Sequence, residues 1–155
     1  MNNTSQFRLA QVHPELARRI NQFAQLLDFD VEVTQGLRTW AEQNDLYAQG
    51  RTSPGKIVTN VQGGYSAHNF GYAIDLVPED VTPGQPDWNV SNPAWQKMLA
   101  VAPSVGLAEG AQWRTFPDNP HFYLQELPPE PTDEMRWHFK EGGLDGVWAN
   151  FPTFS

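Results

Sequence analysis

The chain has 155 residues, with ten Lys and Arg against 18 Asp and Glu, and its formal net charge is −8. This length is close to the usual size of one domain, and such a chain needs no disulfide or structural metal to fold. The acidic balance argues against a nucleic-acid binder and against a polybasic membrane anchor, because both need clustered Lys and Arg. No cysteine is present, so any bound metal must use His, Asp and Glu as ligands.

Nothing in the sequence indicates a membrane or a targeting segment. No apolar run approaches the roughly 20 residues that a spanning helix requires, so membrane insertion is not expected. The first residues, MNNTSQFR, have neither a basic n-region nor an apolar h-region, which predicts synthesis in the cytoplasm without a signal peptide. No repeat or Gly/Ser-rich linker divides the chain, and we expect a single domain over residues 1–155.

Apolar periodicity and capping residues predict helices and strands in irregular alternation. In chain order we predict a helix over 14–27, a strand over 29–37, a helix over 40–49, a strand over 70–77, a helix over 93–102, a strand over 121–125 and a helix over 133–141. The Gly-, Pro- and Ser-rich residues 51–65 and the acidic residues 79–89 are predicted as loops. This pattern favours an α+β fold with a small, largely antiparallel sheet.

Three residues that can bind metal stand out by their sequence context: His68, Asp75 and His121. Two imidazoles and one carboxylate leave the fourth tetrahedral position of a zinc ion open, as catalytic zinc sites do. Asp75 lies between Ile74 and Leu76 on a predicted strand, where a carboxylate is costly unless it is paired or metal-bound. From spacing alone, histidines hydrogen-bonded beside aromatic residues and an aspartate that caps a turn remain alternatives.

The segment Ser66–Asp75, SAHNFGYAID, matches the Ser-x-His-x-x-Gly-x-Ala-x-Asp signature of the zinc-dependent peptidoglycan peptidases. The chain thus resembles a family that includes D,D-carboxypeptidases, D,D-dipeptidases and the L-alanyl-D-glutamate endopeptidases of phage endolysins. Residues 36–52 resemble the segment before this signature in the L-alanyl-D-glutamate branch, and residues 118–122, DNPHF, resemble the Asp-x-Pro-His-Phe block that follows it. The resemblance covers roughly residues 14–125 and implies a Hedgehog/D,D-peptidase-like fold.

The resemblance also implies roles for individual residues. The implied zinc ligands are His68, Asp75 and His121. Asp118 would be the general base that takes a proton from the attacking water and passes it to the leaving amine, a task that suits a carboxylate near the metal. Arg38 would be the fixed cation beside the scissile carbonyl, and Ser66 would contribute a hydrogen bond on the substrate side.

Two departures from the family pattern concern the substrate cleft. Residues 106–113 read GLAEGAQW, where the family often has a Gly-Leu-Glu-Trp-Gly-Gly-x-Trp-like stretch, so the cleft beside this loop is expected to differ. Several related enzymes have Glu at the position of Asp118, and the shorter side chain fits the endopeptidase branch.

The resulting hypothesis is a zinc metallopeptidase that hydrolyses an amide bond in the peptide stem of peptidoglycan, at L-alanyl-D-glutamate. A compact, monomeric, bacteriolytic endolysin without a separate cell-wall-binding module is expected, with antimicrobial action. It would accumulate in the cytoplasm and reach the wall after a membrane lesion, such as the one that a holin forms. The alternatives are a D-Ala-D-Ala carboxypeptidase or dipeptidase of the same fold, and a non-catalytic cell-wall-binding module.

The remaining candidate residues have simpler structural interpretations. His13 precedes the first helix and is expected to cap it, whereas His138 is expected to pack on the last helix. One aromatic set is interpreted as core, with a sugar- or peptide-binding wall as the alternative: Trp113, Phe116 and Phe122. The acidic loop lacks an EF-hand pattern, so a solvated loop is favoured over a calcium site formed by Glu79, Asp80 and Asp87.

Overall fold

The computed structural model describes all 155 residues and places a four-stranded sheet at the centre of the chain. The strands are β1 (Val31–Gln35), β2 (Ala73–Pro78), β3 (Leu107–Gly110) and β4 (Asp118–Leu124), arranged in the order β1-β2-β4-β3. The helices are α1 (Asn3–Leu9), α2 (Pro14–Gln25), α3 (Trp40–Ala48), α4 (Pro93–Val101) and α5 (Asp133–Trp148). Every strand pair is antiparallel, and the predicted α+β fold is confirmed. None of these helices combines the length and the apolar character needed to cross a bilayer.

Side-chain caps explain where two of the helices begin. Thr39 and Glu42 form a reciprocal capping box, in which the Thr39 hydroxyl accepts from the Glu42 N–H at 3.1 Å and the Glu42 carboxylate accepts from the Thr39 N–H at 2.7 Å. His13 caps α2, as predicted, because its Nδ1 accepts from the Glu15 N–H at 3.1 Å. Such bonds satisfy donors that a helix start otherwise leaves without a partner.

The structure corrects several predicted boundaries. Helix α1 and strand β3 were not predicted, because seven and four residues are too short to show a period. The strand predicted from residue 70 begins at Ala73, and a single 3-10 turn, Ala67–Phe70, precedes it. The last helix does not stop at Glu141. Gly142 and Gly143 leave helical geometry, and the chain then resumes helical form as far as Trp148.

One face of the sheet packs against α2. Phe23 and Phe122 lie with ring centroids 5.7 Å apart, and Ile74 is the cross-strand partner of Phe122. Leu16 and Ile20 of α2 are also fully buried, which matches the apolar stripe predicted for this helix. Asp75 and His121 are adjacent cross-strand partners on β2 and β4. Because side chains alternate across a strand, both point to the sheet face opposite α2.

Replacement of Phe23 by Ala is expected to lower the free energy of unfolding by about 3–5 kcal/mol, the usual cost of a phenylalanine-sized cavity. Phe23 is fully buried, whereas Phe7 on α1 is 66% exposed, so Phe7→Ala is the matched control and should change stability by less than about 0.5 kcal/mol. Urea unfolding of both variants at fixed metal concentration measures the difference. Equal losses would contradict the packing described for α2.

A buried ion network ties α2 to the end of β4. The Arg19 side chain, 2% exposed, donates to Glu15 at 2.7 Å, to Glu126 at 2.8 Å and to the carbonyl of Gly106 at 2.6 Å. The hydrogen bond from Arg18 is the main cause that lowers the pKa of the Glu15 carboxyl from 4.5 to about 2, and Arg19 adds to the effect. Glu15 therefore stabilises the fold only where it is ionised.

Because the folded-state pKa of Glu15 lies below its ordinary value, its contribution is complete above about pH 4.5 and is lost as the pH falls towards 2. We expect Glu15→Gln to lower Tm near neutral pH, with the gap to the wild-type protein closing over this acid range. Thermal unfolding from pH 7 to pH 2 measures the gap. Glu141→Gln, at an exposed position of α5, should give no such pH-dependent gap, and a gap at Glu15 that is constant with pH would contradict the account.

Candidate metal centre and its cleft

Three donor atoms converge on the sheet face opposite α2. Nε2 of His68 lies 3.1 Å from Oδ1 of Asp75 and 3.2 Å from Nδ1 of His121. Nδ1 of His121 lies 3.6 Å from the same Asp75 oxygen. The structure thus brings together the three residues singled out in the sequence, and they are its one cluster of metal-ligating side chains.

The size of this triangle fits a zinc ion. Ligand atoms at about 2.0–2.1 Å from a tetrahedral centre lie about 3.3–3.4 Å from one another, and the three edges observed are 3.1, 3.2 and 3.6 Å. Two imidazoles and a carboxylate also match the nitrogen and oxygen donors that zinc accepts, and they leave its fourth position open. The donor set therefore fits the predicted cofactor.

The backbone around His68 fixes which ring nitrogen faces the other donors. Nδ1 of His68 lies 2.9 Å from the carbonyl oxygen of Gly36. A carbonyl only accepts, so Nδ1 carries the proton and Nε2 presents its lone pair to the centre. The Ser66 hydroxyl accepts from the His68 N–H at 3.3 Å, and Gly71 ends the 3-10 turn at φ 69°. A Cβ at Gly71 would meet the Trp148 ring at 3.0 Å, so this position favours glycine.

His121 has a different environment, formed by aromatic rings. Its Nδ1 faces the centre, while its Nε2 is buried and has no hydrogen-bond partner in the protein. The Trp113 ring lies against the imidazole with centroids 4.9 Å apart, and the Tyr123 ring lies at 5.7 Å. Two aromatic neighbours thus limit how the imidazole can turn. This contact could not be predicted, because Trp113 is separated from the sheet by a loop of irregular conformation.

The Asp75 carboxyl stays ionised despite its burial. Burial raises the pKa of Asp75, but the neighbouring His68 and the hydrogen bond from His121 outweigh that effect and hold the pKa well below its ordinary value. A carboxylate that is ionised between two imidazoles is a suitable metal ligand, because ligation requires the deprotonated form.

Asp118 lies at the edge of the cluster and has the opposite shift. Its Oδ2 is 3.9 Å from Nδ1 of His121, and it is not among the three converging donors. Burial raises the pKa of the Asp118 carboxyl, and the negative charge of Asp75 adds to the rise, while His121 and Arg38 oppose it. A carboxylate whose proton affinity is raised is better suited to accept a proton than an ordinary aspartate is.

The Arg38 guanidinium is held in the same cleft by a buried amide. Its Nη1 donates to Oε1 of Gln43 at 2.8 Å, and Gln43 in turn donates to the carbonyl of Val61 at 2.9 Å. Gln43 is fully buried. The Arg38 N–H also donates to the His68 carbonyl at 3.0 Å, which joins this segment to the metal centre. The positioning role of Gln43 was missed by the sequence analysis, although Gln43 lies within the block that resembles the family.

A cleft of about 880 Å³ surrounds these groups, and its walls include all six predicted site residues. Those residues are Arg38, Ser66, His68, Asp75, Asp118 and His121. Of the aromatic set, Phe122 is fully buried core, and Trp113 packs against the core while it also lines the cleft. Phe116 lines the cleft and is 40% exposed, so its interpretation as core was wrong.

The other candidate residues do not line the cleft. His138 lies 3.5 Å from Glu134 on the same helix. In the acidic loop, Glu79 and Asp80 accept hydrogen bonds from backbone N–H groups of their own segment, at 3.0 and 2.7 Å. Asp87 likewise accepts from the Asn89 N–H at 2.8 Å. These carboxylates are used in turns and form no metal-ligating cluster.

Comparison with known proteins agrees with this geometry. A family profile described as D-alanyl-D-alanine carboxypeptidase, of peptidase family M15, matches residues 59–124, which contain the three clustered residues and Asp118. The chain is 37% identical over 106 residues to the peptidoglycan L-alanyl-D-glutamate endopeptidase CwlK of Bacillus subtilis strain 168. This match covers 64% of the chain and 62% of the length of CwlK.

Solved structures show the same fold. The L-Ala D-Glu endopeptidase ChiX of Serratia marcescens superposes with a TM-score of 0.59 at 25% identity, covering 80% of this chain and 88% of ChiX. The vancomycin-resistance D,D-dipeptidase VanXYg superposes with a TM-score of 0.58 at 16% identity, covering 88% of this chain and 57% of that protein. By its sequence matches and its fold, the chain is similar to the proteins of peptidase family M15.

Proposed function

We propose that this chain is a zinc-dependent peptidase that hydrolyses the L-alanyl-D-glutamate bond in the peptide stem of bacterial peptidoglycan. The observation that carries the proposal is the triangle of His68, Asp75 and His121 donor atoms, at tetrahedral ligand spacing inside a cleft that also holds Asp118 and Arg38. The choice of bond rests on CwlK and ChiX, whose names both specify L-alanyl-D-glutamate.

Each side chain has a definite task in this proposal. His68, Asp75 and His121 would hold the zinc ion, which when bound supplies Lewis-acid activation of water and of the scissile carbonyl. Asp118 would take a proton from the attacking water and deliver it to the leaving nitrogen. Arg38 would stabilise the negative charge that develops on the carbonyl oxygen. Ser66 would contribute a hydrogen bond to the substrate, although in the free protein its hydroxyl accepts from His68.

Arg38→Lys is expected to lower kcat by about 10²-fold with a smaller change in KM, as for the loss of an oxyanion donor. A lysine ammonium is a point charge, so it reproduces neither the planar fork nor the bond to Gln43 at the same place. Steady-state kinetics on a soluble muropeptide measures the effect. Arg18→Lys, on the exposed face of α2, is the matched control. If Arg38→Lys kept the wild-type kcat, Arg38 would have no role in stabilising the developing charge.

Mass spectrometry of purified muropeptides after digestion tests the proposed reaction. We expect products cut between L-alanine and D-glutamate, no products after removal of the metal with a chelator, and recovery when zinc is added back. Release of a C-terminal D-alanine instead would assign the D,D-carboxypeptidase or dipeptidase activity. That alternative is favoured by the description of the matching family profile and is compatible with the fold shared with VanXYg.

A non-catalytic cell-wall-binding module is the remaining alternative. It predicts that zinc-loaded protein sediments with insoluble peptidoglycan and releases no fragment. The presence of Asp118 and Arg38 in the cleft beside the three donors argues for catalysis, since a module that only binds has no need of a proton acceptor there.

The proposed biological setting is that of a monomeric, bacteriolytic endolysin with antimicrobial action, made in the cytoplasm and released through a holin-type lesion. Expression inside a bacterium tests it. Lysis is expected when the chain is produced together with a holin, and not when either is produced alone. Lysis by the chain alone would contradict the requirement for a membrane lesion, and a dimer in analytical ultracentrifugation would contradict the monomer.

A further inference from the structure

One cation in the cleft has no partner within the protein. Seven of the ten Lys and Arg side chains donate hydrogen bonds to other residues: Arg8, Arg18, Arg19, Arg38, Arg51, Lys97 and Arg136. The other three are Lys56, Arg114 and Lys140. Of these, only Arg114 lines the cleft. An unpaired guanidinium in a binding cleft leaves five donors available to a ligand.

The loop that carries Arg114 is anchored at both ends beside the metal centre. The Trp113 ring packs on the His121 imidazole, and the Trp113 N–H donates to the Gly110 carbonyl at 3.2 Å. Asp118 begins β4 four residues after Arg114. Arg114 is the one charged residue between these anchors, and its side chain is exposed to the cleft. Arg114 therefore lies on a loop whose flanking residues, Trp113 and Asp118, both lie beside His121 of the metal centre.

The charge of the chain makes such a cation useful for an acidic substrate. A net charge of −8 repels anions at long range, and Asp75, Asp118 and Glu130 add negative charge within the cleft. Arg38, the other cation that lines the cleft, is held by Gln43 and has its proposed task at the scissile carbonyl. A substrate carboxylate that enters the cleft thus has one unengaged guanidinium available, and guanidinium binds carboxylate through paired, charge-assisted hydrogen bonds.

We propose that Arg114 forms a carboxylate subsite that binds the free α-carboxylate of the glutamyl residue next to the scissile bond. This inference rests on the proposed function. In peptidoglycan stems the D-glutamate continues the chain through its side-chain carboxyl, so its α-carboxylate is either free or amidated. The subsite makes the enzyme selective for stems in which that group is free, because a carboxamide offers one acceptor and no charge to Arg114.

Two matched peptides test the subsite: N-acetyl-L-alanyl-γ-D-glutamyl-L-lysine, and the same peptide with the glutamyl α-carboxylate replaced by a carboxamide. The zinc-loaded wild-type protein is expected to cleave the acid with kcat/KM about 10- to 100-fold above that of the amide. In Arg114→Gln, kcat/KM on the acid should fall to near that on the amide, while kcat/KM on the amide is unchanged. Arg114→Lys should restore part of the preference for the acid. Lys140→Gln, at an exposed position of α5, should leave both values unchanged.

Activity on the amide reports whether each variant is folded and holds metal, so a general defect is recognised as an equal loss on both peptides. If the ratio of kcat/KM on the acid to that on the amide is unchanged in Arg114→Gln, with or without an equal loss on both peptides, the subsite is overturned and the proposed function stands. Calorimetric binding of both peptides separates the remaining case. If the wild-type protein cleaves neither peptide yet binds the acid more tightly through Arg114, the proposed function fails and the subsite stands. If the wild-type protein cleaves neither peptide and binds the two peptides equally, both the proposed function and the subsite fail.

Discussion

Replacement of Asp118 by Asn is expected to lower kcat by about 10²- to 10⁴-fold, the usual contribution of general acid–base catalysis, while the protein keeps its zinc. The asparagine side chain has nearly the same shape as the aspartate side chain, and its neutral amide does not accept a proton near neutral pH. Asp118 lies 3.9 Å from His121 but outside the triangle of donor atoms, so metal content should not depend on it. Turnover of a soluble muropeptide and zinc content by atomic spectroscopy are measured on the same sample.

Asp133→Asn is the matched control, because that aspartate is fully exposed on α5 and does not line the cleft. Wild-type turnover in Asp118→Asn would require another base, and the candidates are Glu130, which lines the cleft, and Glu109 on β3. Loss of zinc together with activity would make Asp118 a ligand and would end the three-ligand description.

Replacement of His121 by Ala should abolish both zinc binding and activity. The triangle would lose one of its three corners, and the remaining His68 and Asp75 would leave a zinc ion with too few protein ligands. His68→Ala is expected to give the same result. Zinc stoichiometry and fragment release from purified cell walls measure the two effects, and circular dichroism reports the fold, whose hydrophobic core does not include the three ligands.

His138→Ala is the control for these substitutions, since His138 lies on α5 beside Glu134 and does not line the cleft. It should keep both zinc and activity. Release of zinc by His138→Ala, or retained stoichiometric zinc in His121→Ala, would show that the ligands have been assigned to the wrong residues.

The sequence predicted the local parts of the site better than their assembly. Within the block Ser66–Asp75, His68 lies on a 3-10 turn and Asp75 lies on a strand, and Gly71 in the left-handed region ends the turn between them. This local structure brings the two side chains together. The donors His68 and Asp75 are therefore predictable from one segment. His121 is separated from Asp75 by 45 residues of sequence. Its sequence context made it a candidate ligand, and the resemblance to the family implied that it shares a site with Asp75. The β2–β4 pairing that makes it a neighbour of Asp75 is a tertiary contact.

What could not be predicted depends on packing between distant segments. Gln43 accepts a hydrogen bond from Arg38 and donates one to the carbonyl of Val61, which lies on a loop that contacts α3. No local sequence pattern predicts this contact between the loop and the helix. Trp113 reads as one more core aromatic, yet its contact with His121 places it in the cleft. Short elements such as β3 escape detection for a simpler reason, since four residues next to a glycine show no alternation.

Anomalous X-ray diffraction on both sides of the zinc absorption edge, from crystals grown with zinc, tests the central claim that these three residues form a zinc centre. We expect one zinc peak per chain, at about 2.0–2.2 Å from Nε2 of His68, Nδ1 of His121 and a carboxylate oxygen of Asp75, with Asp118 beyond bonding distance. A zinc ion bonded to Asp118 or bound elsewhere, or no zinc at these three atoms, would contradict it.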